Sequence, residues 1–330
     1  MALPPDRNQP LDLLILWAWE YDADFIHLLK QACDARGVTT YICGPDDLTN
    51  LSARLDRGEI KARVGLDRVW DWGGEYELHV EAMQRNVPLM VNDYARVQRI
   101  WNKLTMHTML IAHGLYVPHL ILIPSCEEQP RLPPIDLTPL GNKFSVKSVH
   151  SGGSGILEPV TRWEDVLQQR RDWPSDQTIL QAWVEPRLLG KRRAWFRVFY
   201  ACGSTFPCWA DDRTHIHEPV TPEDESRFQL GVLRGMTQQI AGLCGLNLFS
   251  TEIALDQNNV WQVCDYVNEP CDFRLKSTVA NGVPDQVVSA ICDRIAGWVK
   301  RHAPGRIDRS WEPKAAPGRL SGSKPEGTQE

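Results

Sequence analysis

"LFSTEIALDQNNVWQVCDYVNEPCDFR", residues 248–274, contains two strand-like runs joined by a cluster of turn formers. The first run carries Glu252 and the second carries Asp265. Asp and Asn in the intervening "LDQNN" favour a tight turn, because their side chains bond nearby backbone and tolerate left-handed conformations. Consecutive antiparallel strands joined in this way bring Glu252 and Asp265 side by side. Adjacent carboxylates raise each other's pKa unless a cation lies between them. Two readings stay open from these residues alone: rim carboxylates beside Lys or Arg, or a pair bracketing Mg²⁺, which takes oxygen ligands. Asn268 follows Asp265 by three positions, so a regular strand would turn it to the opposite face. A β-bulge, or the onset of the next turn, would bring it back.

The bulk numbers frame this segment. The 330 residues suffice for two domains, and 42% hydrophobic with 24% charged residues is ordinary for a soluble globular chain. A formal net charge of −6 gives no bulk electrostatic reason to bind nucleic acid. No apolar run approaches the ~20 residues of a membrane span, and "MALPPDRNQP" lacks the basic and apolar regions of a signal peptide. A cytoplasmic protein without membrane or nucleic-acid partners is expected. The nine cysteines are scattered singly, without CxxC or zinc-like spacing, and read as buried reduced thiols.

Outward from the opening stretch, strand and helix patterns alternate over the first ninety residues. "LDLLILW" (11–17) reads as a buried strand and "DADFIHLLKQACDARG" as an amphipathic helix ended by Gly37. "VTTYIC", a segment near 46–58, "DRVWDWG" (67–73), a helix near 75–86 and "VPLMVN" continue the rhythm of parallel β-α-β units. "WAWEYDADF" has no glycine-rich fingerprint after the first strand, which argues against a classical dinucleotide site there. "DYARVQRIWNKLTMHTMLIAHG" (93–114) reads as one long helix closed by Gly114. Beyond it come the strands "VPHLILIP", "KFSVKS", "TILQAWVE", "RAWFRVFYACG" and "TFPCWAD", with helices near 161–171, 222–244 and 284–301. The tail from Pro304 is rich in Pro, Gly, Ser and charge, and is expected to be disordered.

Lys147 ends an alternating strand and is followed by Ser151, Gly152, Gly153, Ser154 and Gly155. Glycines let backbone amides face a phosphate without a Cβ in the way, although such a loop is also common in hairpins. Lys103 alone reads as a helical lysine on a solvated face. His215 and His217 lack a third ligand in register and read as solvated loop histidines. The thirteen tryptophans lie mostly in strand patterns and read as core, with Trp209 and Asp211 candidates for a pocket wall.

The ordered set resembles the ATP-grasp superfamily over about residues 93–300: Lys103, Lys147 with its Gly/Ser loop, "ILQAWVE", Arg197, then Glu252, Asp265 and Asn268. The resemblance implies an α/β chain: a Rossmann-like pre-ATP-grasp domain (1–92), a two-subdomain ATP-grasp domain (93–303, divided into 93–180 and 181–303) and a tail (304–330). It implies that Lys103, Lys147 and the 151–155 loop contact ATP phosphates. It also implies that Gln181, Ala182, Trp183 and Val184 read the adenine edge and that Glu185 meets the ribose. Arg197 would face the transferred phosphate, and Glu252, Asp265 and Asn268 would hold Mg²⁺. The family more often has Asp at the first metal position and Glu-x-Asn at the next two, whereas this chain has one extra residue before the amide. Asp272, Arg274 and Asp211 become candidates for substrate contact. The implied activity is ATP-dependent joining of a small carboxylate to an amine through an acyl-phosphate, with homodimers frequent in the superfamily. The alternatives are a kinase of the same fold, acting on a hydroxyl, and a nucleotide-binding protein without turnover.

Overall fold

The computed structural model describes residues 10–48, 50–69, 76–150, 157–160 and 162–303. The 151–155 loop and the tail from Pro304 lie outside the described residues.

Strands β1 (Leu11–Trp17), β2 (Thr40–Cys43), β3 (Ala62–Arg68) and β4 (Leu89–Val91) form a parallel sheet in the order β2-β1-β3-β4. Helices α1 (Ala23–Asp34), α2 (Leu51–Asp56) and α3 (Glu77–Asn86) connect them. The apolar run of β1 is continuous because both faces are covered. Leu13 and Ile15 pack into one core and Leu14 and Leu16 into another, all fully buried. The expected strand at "DRVWDWG" ends earlier, at Arg68, and draws most of its length from the residues before it. Gly65 interrupts the apolar pattern there because β4 crowds it: a Cβ would stand 2.4 Å from Met90 Sδ.

The long helix expected over 93–114 is two helices, α4 (Tyr94–Trp101) and α5 (Lys103–Ala112). Asn102 between them takes an extended ψ of 104°, and its Oδ1 accepts the N–H groups of Leu104 and Thr105. An asparagine that can cap a new helix competes with continuing the old one. Lys103 thereby occupies the first turn of α5 rather than the middle of a helical face.

Strands β5 (Leu120–Ile123), β6 (Phe144–Ser148), β7 (Leu157–Val160) and β8 (Thr178–Ala182) form an antiparallel sheet in the order β5-β8-β6-β7, with α6 (Trp163–Asp172) between β7 and β8. A short hairpin of β9 (Leu188–Leu189) and β10 (Arg192–Arg193) leads into a further antiparallel sheet. Its strands are β11 (Trp195–Ala201), β12 (Ser204–Ala210), β13 (His217–Pro219), β14 (Leu248–Leu255) and β15 (Trp261–Asn268), in the order β13-β12-β11-β14-β15. The helix expected over 222–244 is likewise divided, into α7 (Pro222–Phe228) and α8 (Gly231–Cys244), at Gln229 with φ +56°.

The last helix, α9 (Asp285–His302), returns to the first sheet and packs against α1, sharing a core with β1. Two polar clamps hold these parts together. Asn92, just after β4, accepts the N–H groups of Asn247 and Leu248 and donates to the Leu248 carbonyl at 2.6 Å. Arg68 at the end of β3 is buried against Asp22 at 2.7 Å, donates to the Cys271 carbonyl, and sets its guanidinium over the stacked Phe25 and Phe273 pair, 5.2 Å from each ring centre. Among the described residues no helix is long and apolar enough to cross a membrane.

Candidate functional site

A cleft of about 520 Å³ opens between the two antiparallel sheets. One wall carries Ser145 and Lys147 of β6 with Gln181 and Ala182 of β8, and the other carries Trp195, Arg197, Glu252 and Asp265. The β14–β15 hairpin places Glu252 directly opposite Asp265, and the β11–β14 ladder places Arg197 directly opposite Glu252. Two neighbouring ladders of one sheet thus deliver two acids and a guanidinium to the same wall, because directly opposed residues share a face.

The two acids are not equivalent. Burial acts against the charged form of Asp265, but the ammonium groups of Lys147 and Lys103 outweigh it and hold its pKa below the usual carboxylate range. Glu252 is pushed up by burial and by Asp265, with Arg197 opposing the shift. Its Oε2 accepts the indole N–H of Trp195 at 3.1 Å, and its Oε1 lies 3.8 Å from Arg197 Nη1. Arg197 Nε also donates to Ser250 Oγ at 3.2 Å. Lys103 has its pKa lowered by burial, partly offset by Asp265. It lines a small pocket adjoining the cleft together with Lys147 and Asp265.

The extra residue before Asn268 is absorbed by a bulge. Ser250 pairs with Asn268 while Glu252 pairs with Asp265, so three residues of β15 span the same register as two of β14. Asn268 returns to the side of Asp265. The Asn268 Nδ2 is buried without a hydrogen-bond partner among the described residues. Neither Asn268 nor Glu185 lines the cleft itself. Glu185 receives Arg193 Nη1 at 2.8 Å, and the same guanidinium grips Asp212 at 2.5 Å.

At the other end of the cleft, β8 runs out of partners gradually. The N–H of Ala182 donates to the His119 carbonyl and that of Trp183 to the Lys143 carbonyl. Gln181 directs its side-chain amide to the Tyr266 hydroxyl, which in turn meets His107 Nδ1 at 2.6 Å. Asp211 lines the cleft, but its Oδ1 already accepts the N–H groups of Arg213 and Thr214. Asp272 and Arg274 also line it and grip each other, with Nη2 2.6 Å from Oδ2.

Trp195, expected with the other strand tryptophans to pack in the core, lines the cleft instead, and its position two residues before Arg197 on the same strand face could have flagged it. His217, read from sequence as solvated, is buried in β13 against the 274–283 segment and lines the cleft. Nothing local announces this, because the covering carbonyl comes from Asn281, sixty-four positions away. Among the described residues no group of three or more His, Cys, Asp or Glu side chains is arranged to hold a metal ion, so an ion here would need Asn268 or non-protein oxygens beside the two acids.

An α/β chain with a parallel-sheet unit, followed by two antiparallel sheets closing on a cleft of this charge pattern, is a known architecture. No family model and no curated protein matches the sequence. Solved structures do match it in fold. A RimK-domain ATP-grasp protein from Sphaerobacter thermophilus is 16% identical with a TM-score of 0.58, covering 87% of this chain and 99% of that one. D-alanine–D-alanine ligase from Bacillus anthracis, complexed with ATP, is 9% identical with a TM-score of 0.61, covering 88% and 96%. The macrocyclase MdnC from Microcystis aeruginosa, bound with precursor peptide MdnA, is 12% identical with a TM-score of 0.59, covering 86% and 99%. The chain has the ATP-grasp fold.

Proposed function

We infer that this chain is an ATP-dependent ligase that joins a carboxylate to an amine and releases ADP and phosphate. The observation that carries this reading is the convergence of Lys147, Arg197, Glu252 and Asp265 on one cleft between two sheets. Such an array suits a reaction that moves a phosphoryl group and needs no side-chain nucleophile, because positioned charge supplies most of the stabilisation.

The residues present fit Mg²⁺. Glu252, Asp265 and Asn268 offer oxygen ligands on one side of a hairpin, and the buried Asn268 amide nitrogen has no hydrogen-bond partner among the described residues. These three would hold the ion, which when bound withdraws charge from phosphate oxygens.

The remaining groups divide the work by position. Lys147 and Lys103 would hold the ATP phosphates from the β6 side, joined by the 151–155 loop. The purine edge would meet the backbone beyond Trp183 N–H, at the Trp183 carbonyl and Val184, with Glu185 towards the ribose. Arg197 would face the transferred phosphoryl group as the substrate carboxylate attacks it. The resulting acyl-phosphate is then open to an amine, with Asp272 and Arg274 on the acceptor side and Asp211 towards the cleft mouth. The acid and amine would be small molecules, and homodimerisation would not alter these roles.

The test is an ADP-release screen over carboxylates and amines, with hydroxylamine added to trap an acyl-phosphate. Hydroxamate together with amine-dependent free phosphate supports the ligase. A stable phosphorylated hydroxyl compound without free phosphate would make it a kinase. Nucleotide binding without ADP formation across the panel would make it a non-catalytic nucleotide binder.

A further inference from the structure

His217 lines the cleft together with Asp272 and Arg274, and one of its ring nitrogens is engaged by a backbone carbonyl. Its Nδ1 stands 3.2 Å from the backbone carbonyl of Asn281. A carbonyl only accepts, so Nδ1 carries the hydrogen and Nε2 is left with its lone pair. The residue is 7% exposed and its position is fixed from several sides. The β12–β13 ladder pairs it with Ala210, and Lys276 Nζ donates to its backbone oxygen at 2.7 Å. Arg197 and Asp272 line the same cleft wall.

Charged groups from each packed element face the ring. Arg197 comes from β11, and Asp272 and Lys276 from the segment after β15. Burial, then Arg197, drive the His217 pKa down to about 4, while the Asn281 and Gly282 backbone and Asp272 pull the other way. The ring is therefore neutral at physiological pH. An anion settling against Arg197 would cancel the largest of the charges that oppose protonation, so the ring gains basicity when a phosphoryl group is in place.

We propose that Nε2 of His217 accepts the proton of the amine that attacks the activated carboxylate. The proposal rests on the ligase reading above and assigns the second half of that reaction. The nitrogen–carbon bond forms at the acyl carbon, and the carbon–oxygen bond to phosphate breaks with its electron pair leaving on inorganic phosphate. The proton lost by nitrogen passes to Nε2 and from there to water, which restores the neutral ring. The residue would touch the nucleophile and not the ATP, so it belongs to amine capture and not to ADP formation.

The test compares the wild-type chain with H217N and H217Q. The carboxamide introduced by H217N keeps an N–H for the Asn281 carbonyl and removes Nε2, and thermal melts confirm that either variant is folded. Each protein receives Mg-ATP and the best carboxylate from the screen, with either hydroxylamine or the amine substrate at pH 7. Hydroxylamine is mostly unprotonated at that pH and needs no base. The expected result is equal hydroxamate formation, with amine-dependent turnover lowered about 100-fold in H217N and recovering as pH rises. Equal amine-dependent turnover in wild type and folded H217N overturns the proposal while leaving the ligase reading intact. Absence of hydroxamate from both proteins removes the ligase reading, and this assignment with it. Independently, ¹⁵N-imidazole NMR at pH 6, assigned by the signal missing in H217N, should show Nδ1 protonated and Nε2 bare. A charged ring, or a proton on Nε2, overturns the proposal whatever the activity.

Discussion

Glu252 and Asp265 face each other across the β14–β15 ladder, and their carboxyl groups are driven in opposite directions. Asp265 is held charged by Lys147 and Lys103, whereas burial and the neighbouring charge make Glu252 the more reluctant acid. Two acids kept this close are costly to a fold unless something compensates them, and here the compensation comes from cations on both walls of the cleft.

Replacing Asp265 tests whether that arrangement serves chemistry. Asp265→Asn preserves shape and removes the charge that Lys147 and Lys103 face. ATP turnover is expected to fall about 100-fold or more in a variant that still folds. Lys147→Ala should behave alike. Wild-type-like ADP release by either folded variant would show that the cleft is not the nucleotide site.

Gly282 tests the loop that covers the acceptor side. A Cβ at this position would lie 2.5 Å from the Leu275 carbonyl oxygen and 2.6 Å from that of Arg274, and both obstacles are backbone. Gly282→Ala must displace the loop that carries the Asn281 carbonyl, at a cost of about 1–3 kcal/mol. Urea unfolding should report the loss, and the His217 imidazole signal should shift.

The Arg68–Asp22 pair tests how the first sheet is joined to the rest. Both side chains are almost fully buried, and Arg68 also holds the Cys271 carbonyl. Asp22→Asn or Arg68→Met leaves an uncompensated buried group and should cost about 3–5 kcal/mol in equilibrium unfolding. The double variant should recover part of that loss, because neither charge is then stranded.

Asp67 supplies a pH prediction. Burial raises its pKa to about 7, against the Val69 N–H and Arg68, and its Oδ2 has no hydrogen-bond partner among the described residues. A carboxyl group with a raised folded-state pKa binds more protons folded than unfolded. Its stabilising contribution is therefore complete below the ordinary Asp range and is lost as pH rises through about 7. Asp67→Asn, which still offers an oxygen to Val69 N–H, should be more stabilising at pH 8 than at pH 5. Denaturation midpoints across that range decide it, and a gain no larger at pH 8 than at pH 5 would contradict the assignment.

Much of the fold was legible in local pattern. The uninterrupted apolar run of β1 implies a strand covered on both faces, and the alternate burial of Leu13 to Leu16 between two cores bears this out. The "LDQNN" turn was enough to predict that Glu252 and Asp265 meet. Helix ends were less legible where a polar residue could start a new element. Asn102 breaks the 93–114 pattern by capping α5, a choice made by side-chain hydrogen bonds that periodicity does not record.

What the sequence determined by itself was therefore the order of elements and the pairings set by short turns, because both depend on periodicity and on residues close in the chain. Only the tertiary structure decided the rest. It placed a bulge in β15 that returns Asn268 to the side of Asp265, brought α9 back onto the first sheet, and buried His217 under a carbonyl from a distant segment. Each of these depends on which surfaces are left to be covered once the sheets have packed. That is a property of the whole chain, and no window of residues contains it.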